Sequence, residues 1–254
     1  MNIYNNVLNN LDELRLEKIK SCLGDYLDSI KSKELTPLEI LKDLTDMELE
    51  AKKVRSAKSR IGIANFPYER TIQDFDFDYQ PSINKREIQD LATLRFIEQK
   101  QNILFIGSPG VGKTHLATAI GMEAAQKRYI TYFISCHELI AQLSLAYREN
   151  RLESRLRHFS KYKLLIIDEI GYLPIDKLGA NLFFQLIARR YEKHSTIITT
   201  NQPFSKWAEV FDDSVIAAAI LDRLIHHSTI INITGKSYRT KDKLTVNPKQ
   251  NVQS

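Results

Sequence analysis

The chain has 254 residues, of which 43% are hydrophobic and 26% charged, so it can bury one full core and carry a small accessory domain. Its longest apolar run, residues 215–221, is far too short to span a bilayer, which excludes an integral membrane protein built on helices. The net charge of +5 favours polyanionic partners, and the two cysteines, at positions 22 and 136, form no metal-spaced or redox pair.

The first 62 residues predict a small helical domain. Apolar residues recur about every three to four positions between Leu8 and Leu27, as in amphipathic helices. A further helix is expected to begin at Pro37, with Thr36 as its N-cap and Glu39 in its first turn. We therefore expect residues 1–62 to form an all-α domain.

A cluster of positive charges lies near the end of this helical segment. Five basic side chains occur within nine residues, and no acidic residue lies among them. Such a cluster on a helix predicts contacts with the phosphates of DNA, so we expect this domain to bind DNA or a partner. The five residues are Lys52, Lys53, Arg55, Lys58 and Arg60.

The remainder of the chain alternates strands and helices. A glycine, an asparagine and a proline end the helical segment, and residues 63–80 are expected to link it to a second domain. The alternation predicts an α/β fold, in which helices cover both faces of a mostly parallel sheet. We place this domain at residues 81–242 and a flexible basic tail at residues 243–254. Strands are expected at residues 102–106, 130–135, 163–167, 196–200 and 229–233, and helices at residues 113–127, 137–160 with one break, 178–193 and 215–224.

Residues 107–114 carry the most specific motif of the chain. Their sequence, Gly107-Ser108-Pro109-Gly110-Val111-Gly112-Lys113-Thr114, matches the pattern G-x-x-x-x-G-K-[S/T] of a phosphate-binding loop at every position. Backbone N–H groups of such a loop surround a polyphosphate, and the next helix directs the positive end of its dipole at the same charge. Lys113 is expected to reach the β- and γ-phosphates and the Thr114 hydroxyl to bind Mg²⁺, and we include His115 in the nucleotide-binding segment. A glycine-rich turn with an incidental lysine is the alternative.

A second motif supplies carboxylates for the same site. Four apolar residues lead into Asp168 and Glu169, as expected of a buried strand with acidic residues at its carboxyl end. Asp168 would position Mg²⁺ through water, and Glu169 would polarise the attacking water as a general base. Asn201 ends the next predicted strand and would orient that water, whereas a turn asparagine is its alternative interpretation. These residues together predict ATP hydrolysis.

In this order the motifs resemble those of AAA+ ATPases, and in particular those of the IstB-like helper ATPases of transposons, which are relatives of the DnaC-type helicase loaders. The resemblance covers nearly the whole chain. It implies a P-loop AAA+ core with a central parallel sheet flanked by helices, preceded by a small all-α domain and without a C-terminal lid domain. The stretches that carry it are residues 66–68, 74–77, 168–174, 201–207, 221–227 and 235–239.

The resemblance also implies a function. Arg223 matches the arginine finger that reaches the γ-phosphate held by a neighbouring subunit, which requires a homo-oligomer in the form of a ring or a helical assembly. Only 31 residues follow Arg223, too few for the usual lid with its second arginine sensor, and the role of Arg239 stays open. The family implies ATP and Mg²⁺ as cofactors, double-stranded DNA and the transposase of the same mobile element as partners, and a cytoplasmic, nucleoid-associated location. A DnaC-like replicative helicase loader is the alternative function, and a small-molecule kinase is a third.

A second basic stretch precedes the carboxylate strand. Arg148, Arg151 and Arg155 occur at spacings that place them on one stripe of a continuous helix. The resemblance to initiators and loaders implies that such a helix lies toward the DNA, where its phosphate contacts would be sequence-tolerant and salt-sensitive. A solvated helical face is the alternative. A third basic group comprises Lys236, Arg239, Lys241 and Lys243.

Overall fold

The structure, a computed structural model, describes residues 2–240. The predicted tail at residues 243–254, together with Lys241 and Lys243 of the third basic group, lies outside the described residues. The chain divides into two compact units, Met1–Ser59 and Arg60–Ser254. Within residues 2–240, no helix combines the length and the apolar character that crossing a membrane requires.

The first unit is helical, as its apolar periodicity predicts. Its helices are α1 (Ile3–Glu13), α2 (Glu17–Ile30) and α3 (Pro37–Ile63), the last of which continues into the second unit. At the start of α3, the Glu39 N–H donates to the Thr36 hydroxyl (3.3 Å) and the Thr36 N–H donates to the Glu39 carboxylate (2.8 Å). This reciprocal arrangement is a capping box, and it confirms Thr36 as the N-cap.

A buried carboxylate joins α2 and α3. Glu48 is 3% exposed and accepts the backbone N–H groups of Lys18 (2.8 Å) and Ile19 (3.0 Å), which lie in the first turn of α2. It also accepts the Arg55 guanidinium at 2.8 Å. Although burial acts to raise it, the bonds from Ile19, Arg55 and Lys18 hold the pKa of Glu48 below its usual value. Glu48 therefore caps α2 from a neighbouring helix and fixes Arg55 beside it.

Five strands form the sheet of the second unit. They are β1 (Asn102–Gly107), β2 (Thr131–Ser135), β3 (Leu164–Ile170), β4 (Ser195–Thr200) and β5 (Ser228–Ile233). Their order in the sheet is β2-β3-β4-β1-β5, and every neighbouring pair is parallel. The predicted α/β class with a parallel sheet is therefore confirmed. Because β3 and β4 are neighbours and β4 adjoins β1, the carboxyl ends of these three strands meet at one edge.

Helices cover both faces of this sheet, as predicted. The helices are α4 (Lys85–Leu91), α5 (Arg95–Glu98), α6 (Lys113–Gln126), α7 (Cys136–Arg148), α8 (Leu152–Ser160), α9 (Lys177–Arg190), α10 (Trp207–Val210) and α11 (Ser214–Ile225). Side chains of α4, α5 and α6 share one core with one face of the strands, and those of α7 to α11 share a second core with the other face. This arrangement is the three-layered architecture of an α/β protein.

Residues 63–80, for which the sequence predicts a linker, belong to the second unit. Ile72 and Phe75 are each 8% exposed and lie in the same core as α6. The Ala64 carbonyl accepts the backbone N–H of Phe133 in β2 at 2.8 Å. The segment is thus part of the packed second unit and not a free linker. After β5, residues 234–240 contain one short 3-10 helix, Tyr238–Thr240, and no helical lid.

Candidate nucleotide-binding site

The predicted phosphate-binding loop lies between β1 and α6. Its bends use left-handed backbone conformations at Gly110 (φ 82°) and Gly112 (φ 102°), which residues with a Cβ adopt rarely. A Cβ at Gly112 would also lie 2.5 Å from Cε2 of Phe75. The loop is therefore packed closely against the segment that contains Phe75, and α6 begins directly after the loop at Lys113.

Lys113 is held by the loop itself. Its Nζ donates to the carbonyls of Gly107 (2.8 Å) and Ser108 (2.9 Å), and the residue is 5% exposed. Burial lowers the pKa of Lys113 to about 8, with a further lowering from Arg239, whereas Asp168 and Glu169 act to raise it. A buried ammonium whose hydrogen bonds go to neutral carbonyls is suited to an incoming anion, because a phosphate would restore the lost solvation.

Thr114 and Asp168 meet across the gap between α6 and β3. The Thr114 hydroxyl lies 3.0 and 3.1 Å from the two carboxylate oxygens of Asp168, and Asp168 is 5% exposed. Burial raises the pKa of Asp168, while the hydrogen bonds from Thr199 and Thr114 oppose that rise. A hydroxyl and a buried carboxylate are hard oxygen donors of the kind that Mg²⁺ binds, so these two residues fit the expected ion.

Thr199 of β4 holds both acidic residues, and its sequence position gives no sign of this role. Its hydroxyl donates to an Asp168 carboxylate oxygen at 2.5 Å and accepts the Glu169 N–H at 2.9 Å. Glu169 has a φ of 65°, at a point where the pairing of β3 with β4 shifts register. As a result the Asp168 side chain is buried and the Glu169 side chain is exposed. Glu169 lines a groove next to the loop cavity. Tyr172 lines both the groove and the cavity.

Asn201 follows β4 at the same edge of the sheet. Its Oδ1 is buried and has no hydrogen-bond partner among residues 2–240. A Cβ on Gly171, just beyond the Glu169 bend, would lie 3.2 Å from that oxygen. A buried amide oxygen without a partner is costly unless a ligand or water meets it, which agrees with the predicted water-orienting role.

The loop opens onto a cavity of about 120 Å³. His115 lies at its wall, where Nε2 is 2.8 Å from the Thr71 carbonyl and the ring contacts Phe75. His115 therefore supports residues 71–75, and its Nε2 is engaged there. Sequence reasoning misses most of the other lining residues, because they come from loops before β1, after β3 and after β5 and not from a strand-end motif. They are Tyr68, Arg70, Asp74, Phe75, Asp76, Gln80, Tyr172, Tyr238 and Arg239.

Arg223, the predicted arginine finger, lies on α11. Its Nη1 donates to the Ala219 carbonyl (3.0 Å), and its guanidinium is 4.7 Å from the ring centre of Phe184. It is not among the residues that line the loop cavity of its own chain. The predicted role at a neighbouring subunit stays a prediction.

The basic cluster of α3 has acidic partners, contrary to the expectation from the sequence. Arg55 pairs with Glu48 (2.8 Å) and lies 3.6 Å from Glu17, and Lys53 lies 3.5 Å from Glu50. The expectation of an uncompensated cluster is wrong for these two side chains, because the packing of α2 on α3 and the turns of α3 bring in acids from outside the cluster.

The other three members of this cluster differ in their surroundings. Arg60, which already belongs to the second unit, donates to the carbonyl of Arg128 at 3.3 Å. Lys52 and Lys58 are exposed and form no ion pair with any residue between 2 and 240. These two lysines are therefore the strongest remaining candidates for phosphate contacts in the cluster.

The second basic stretch does not form the predicted single stripe. The helical stretch before β3 is two helices, α7 and α8, and the chain turns between them at Asn150 (φ 56°). Arg148 ends α7, Arg151 lies in the break and pairs with Glu149, and Arg155 lies in α8. The three arginines would share one stripe only on a continuous helix, and the break between α7 and α8 separates them. Arg151 and Arg155 instead line one cavity between the two helices.

The fold and this site together define a class: the protein is an ATP-binding P-loop ATPase with an α/β core. The family described as "IstB-like ATP binding protein" matches residues 9–246. The chain therefore belongs to the IstB-like family, which confirms the resemblance inferred from its motifs.

Proteins of insertion sequences are similar to the chain over most of its length. The ATP-binding protein of insertion sequence IS232 from Bacillus thuringiensis subsp. berliner is 53% identical over 241 residues, covering 95% of this chain and 96% of that protein. The ATP-binding protein of insertion sequence IS21 from Pseudomonas aeruginosa is 44% identical over 233 residues, covering 92% and 88%. The chain is thus an IstB-type ATPase related to proteins of mobile elements.

Solved structures show the same fold. A crystal structure of DnaI superposes with a TM-score of 0.53 at 24% identity, covering 66% of this chain and 90% of that chain. DnaA from Aquifex aeolicus, bound to AMPPCP, superposes with a TM-score of 0.54 at 20% identity, covering 71% and 56%. At these identities the likeness shows the fold alone.

Proposed function

We propose that the chain is an ATP-dependent, DNA-binding helper protein of transposition, which oligomerises on target DNA and recruits the transposase of the same mobile element. The observation that carries this proposal is the nucleotide site of an IstB-type ATPase in a chain whose relatives belong to insertion sequences. Exposed lysines on α3 supply a surface for the polyanion.

Each residue at the site has a proposed part in hydrolysis. The loop amides and Lys113 bind the phosphates, and Thr114 with Asp168 would hold Mg²⁺, which supplies neutralisation of the phosphate charge. Glu169 acts as the general base on the attacking water, and Asn201 orients that water. The support for this division is that Asp168 is buried against Thr114 whereas the Glu169 carboxylate is exposed at the same strand end.

Hydrolysis is proposed to require a neighbouring subunit. Arg223 lies on α11, where it contacts Ala219 and Phe184, and it does not line its own cavity. An arginine that stabilises transition-state charge must touch the transferred phosphoryl group, so Arg223 would act at a site held by a second copy.

A mixing experiment tests this requirement. Lys113→Ala removes nucleotide binding and keeps the finger, whereas Arg223→Ala keeps the phosphate loop and lacks the finger. Each variant alone should be inactive, and an equimolar mixture should recover part of the wild-type ATPase rate at interfaces that combine the intact halves. Full turnover by Arg223→Ala alone would contradict a role for Arg223, and a mixture as inactive as its components would contradict its action in trans.

DNA binding is proposed to use Lys52 and Lys58. A double Lys52→Gln/Lys58→Gln variant should bind duplex DNA more weakly, and the slope of log affinity against log salt should fall by about two, one unit for each phosphate that the variant no longer neutralises. Lys42→Gln is the matched control, because Lys42 lies on the same helix but pairs with Asp46 at 2.8 Å. Fluorescence anisotropy with a labelled duplex, with and without ATP, measures both quantities.

The outcomes also separate the helper from the helicase loader. Absence of ATP-dependent duplex binding by the wild-type chain at moderate salt would contradict the proposal. If the full chain instead captured a purified hexameric replicative helicase, the loader function would replace it.

A further inference from the structure

The segment that follows β5 is fastened onto the phosphate-binding loop. The Tyr238 N–H donates to the Gly110 carbonyl at 2.8 Å. Two residues earlier, the Lys236 carbonyl accepts the side-chain amide of Gln80 at 2.7 Å. The Tyr238 ring packs edge-on against Tyr79, with 5.3 Å between ring centres. Residues 236–238 are therefore held at the loop from two sides, and the position of the next residue is fixed by them.

That next residue is Arg239. It lines the loop cavity together with Lys113 and Thr114, and its side chain is exposed. It forms no ion pair with any residue in the described range 2–240. Burial raises the pKa of Tyr68 and of Tyr172 and lowers that of Lys113; the positive charge of Arg239 opposes the rise at the two tyrosines and adds to the lowering at Lys113. Arg239 and Lys113 thus line one cavity, and a phosphate bound beside both of them would be stabilised by two cations.

The second arginine of the cavity is placed differently. The Arg70 guanidinium lies 5.4 Å from the ring centre of Tyr68, and its charge acts on Asp74 and His115. Asp74 belongs to the segment before β1, and His115 of α6 packs against that segment. Arg70 is therefore partly compensated by an acid, whereas Arg239 faces Lys113.

We propose that Arg239 is a phosphate-binding residue that contacts the terminal phosphate of ATP held in its own subunit. The proposal rests on the nucleotide site described above and assigns it a second arginine, which acts in cis and complements the trans action proposed for Arg223. A guanidinium suits this place because it presents paired donors to phosphate oxygens and stays charged beside Lys113.

Contact between Arg239 and the terminal phosphate predicts different effects on the affinities for ATP and for ADP. ADP lacks the group that Arg239 would touch, so removal of the guanidinium should weaken ATP binding and leave ADP binding nearly unchanged. Removing one charge-assisted hydrogen-bond pair corresponds to roughly a ten- to hundredfold decrease in affinity. The ratio of the two dissociation constants is the informative quantity, because a general disturbance of the loop would weaken both ligands.

Isothermal titration calorimetry with Mg²⁺ and either a non-hydrolysable ATP analogue or ADP measures this ratio on the full chain. Arg239→Ala and Arg239→Gln should lose roughly ten- to hundredfold in affinity for the analogue and less than about threefold for ADP. Arg239→Lys should recover part of the affinity, because it keeps the charge but not the paired donors. Lys236→Ala is the matched control: it removes a cation from the same segment, outside the cavity lining, and should change neither constant.

The result that would overturn the proposal is an Arg239→Gln variant with wild-type affinity for the analogue, or with equal decreases for the analogue and ADP. Glutamine keeps much of the apolar side-chain stem, and Tyr238 holds the segment by its backbone, so this variant should fold. Its thermal midpoint without nucleotide checks that it does. Wild-type protein that bound no adenine nucleotide would instead refute the nucleotide site itself, so the two failures are distinguishable.

Discussion

Replacing Thr199 with valine tests whether one buried hydroxyl positions both catalytic carboxylates. Thr199 is fully buried in β4, and valine has nearly the same shape, so the substitution removes two hydrogen bonds and leaves little change in packing. Asp168 loses a donor at 2.5 Å and the Glu169 N–H loses its acceptor at 2.9 Å. The substitution therefore alters the support of Asp168 and Glu169 and leaves the phosphate-binding loop unchanged.

The expected cost follows from the two bonds. A hydrogen bond to a charged group contributes about 1.5–3 kcal/mol and a neutral one about 0.5–1.5 kcal/mol, so Thr199→Val should lower the free energy of unfolding by about 2–4 kcal/mol at pH 7.5. The ATPase rate should fall about ten- to hundredfold, as is usual when the partner that orients a catalytic or metal-binding group is removed. Nucleotide affinity should change little, because Lys113 and the loop amides are untouched.

Urea unfolding followed by tryptophan fluorescence measures the change in stability. Trp207 is the chain's single tryptophan and is fully buried in the second unit, so its signal reports on the unit that contains the site. Thr131→Val is the matched control, since that hydroxyl makes one local bond of 3.2 Å to the Tyr129 carbonyl and its removal should cost less than about 1 kcal/mol. Equal destabilisation of the two variants, or an unchanged ATPase rate for Thr199→Val, would refute the positioning role.

Three further predictions concern the charged groups. Burial raises the pKa of Asp168, so Asp168 keeps its proton to higher pH in the native state than in the unfolded chain, and its ionised form costs stability at neutral pH. Asp168→Asn should therefore raise the thermal midpoint without nucleotide at pH 7.5, and this gain should shrink toward pH 4. The Mg²⁺-dependent stabilisation by ATP should be lost in the same variant. Burial lowers the pKa of Lys113 to about 8, and a bound phosphate should raise it, so ATP binding should take up a proton near pH 8.5 and weaken as the pH rises further. Calorimetry in two buffers of different ionisation enthalpy measures this proton uptake. The absence of uptake would contradict the placement of Lys113. Glu169→Gln should bind ATP with wild-type affinity and stop turnover, and a rate within about threefold of wild type would exclude it as the general base.

The regular elements around the site follow from the sequence. Four apolar residues before Asp168 and a glycine-rich stretch before Lys113 are local signals, because each describes the strand or loop in which it occurs. The parallel sheet then brings the ends of β1, β3 and β4 together, as the alternation of elements predicts. The short helices α4, α5 and α10 escape such prediction, since four to seven residues are too few to establish a helical period.

The parts that the sequence does not reveal depend on contacts between distant segments. Thr199 is one threonine among several in β4, and only the register of β4 beside β3 places it next to Asp168 and Glu169. Arg239 lies more than a hundred residues from Lys113, and nothing in its spacing indicates that the two share a cavity. The acidic partners of Arg55 are hidden for the same reason, because charge counting along the chain ignores helix packing.

Mass photometry of the full chain on duplex DNA tests the central claim most directly, namely that ATP in this loop drives assembly on DNA. With Mg²⁺ and ATP, the wild-type chain and Glu169→Gln should form DNA-bound oligomers, which persist longer in Glu169→Gln because it does not hydrolyse the nucleotide. Lys113→Ala should remain in small species under the same conditions. Equal assembly of wild type and Lys113→Ala, or no DNA-bound oligomer of the wild-type chain with ATP, would contradict the account.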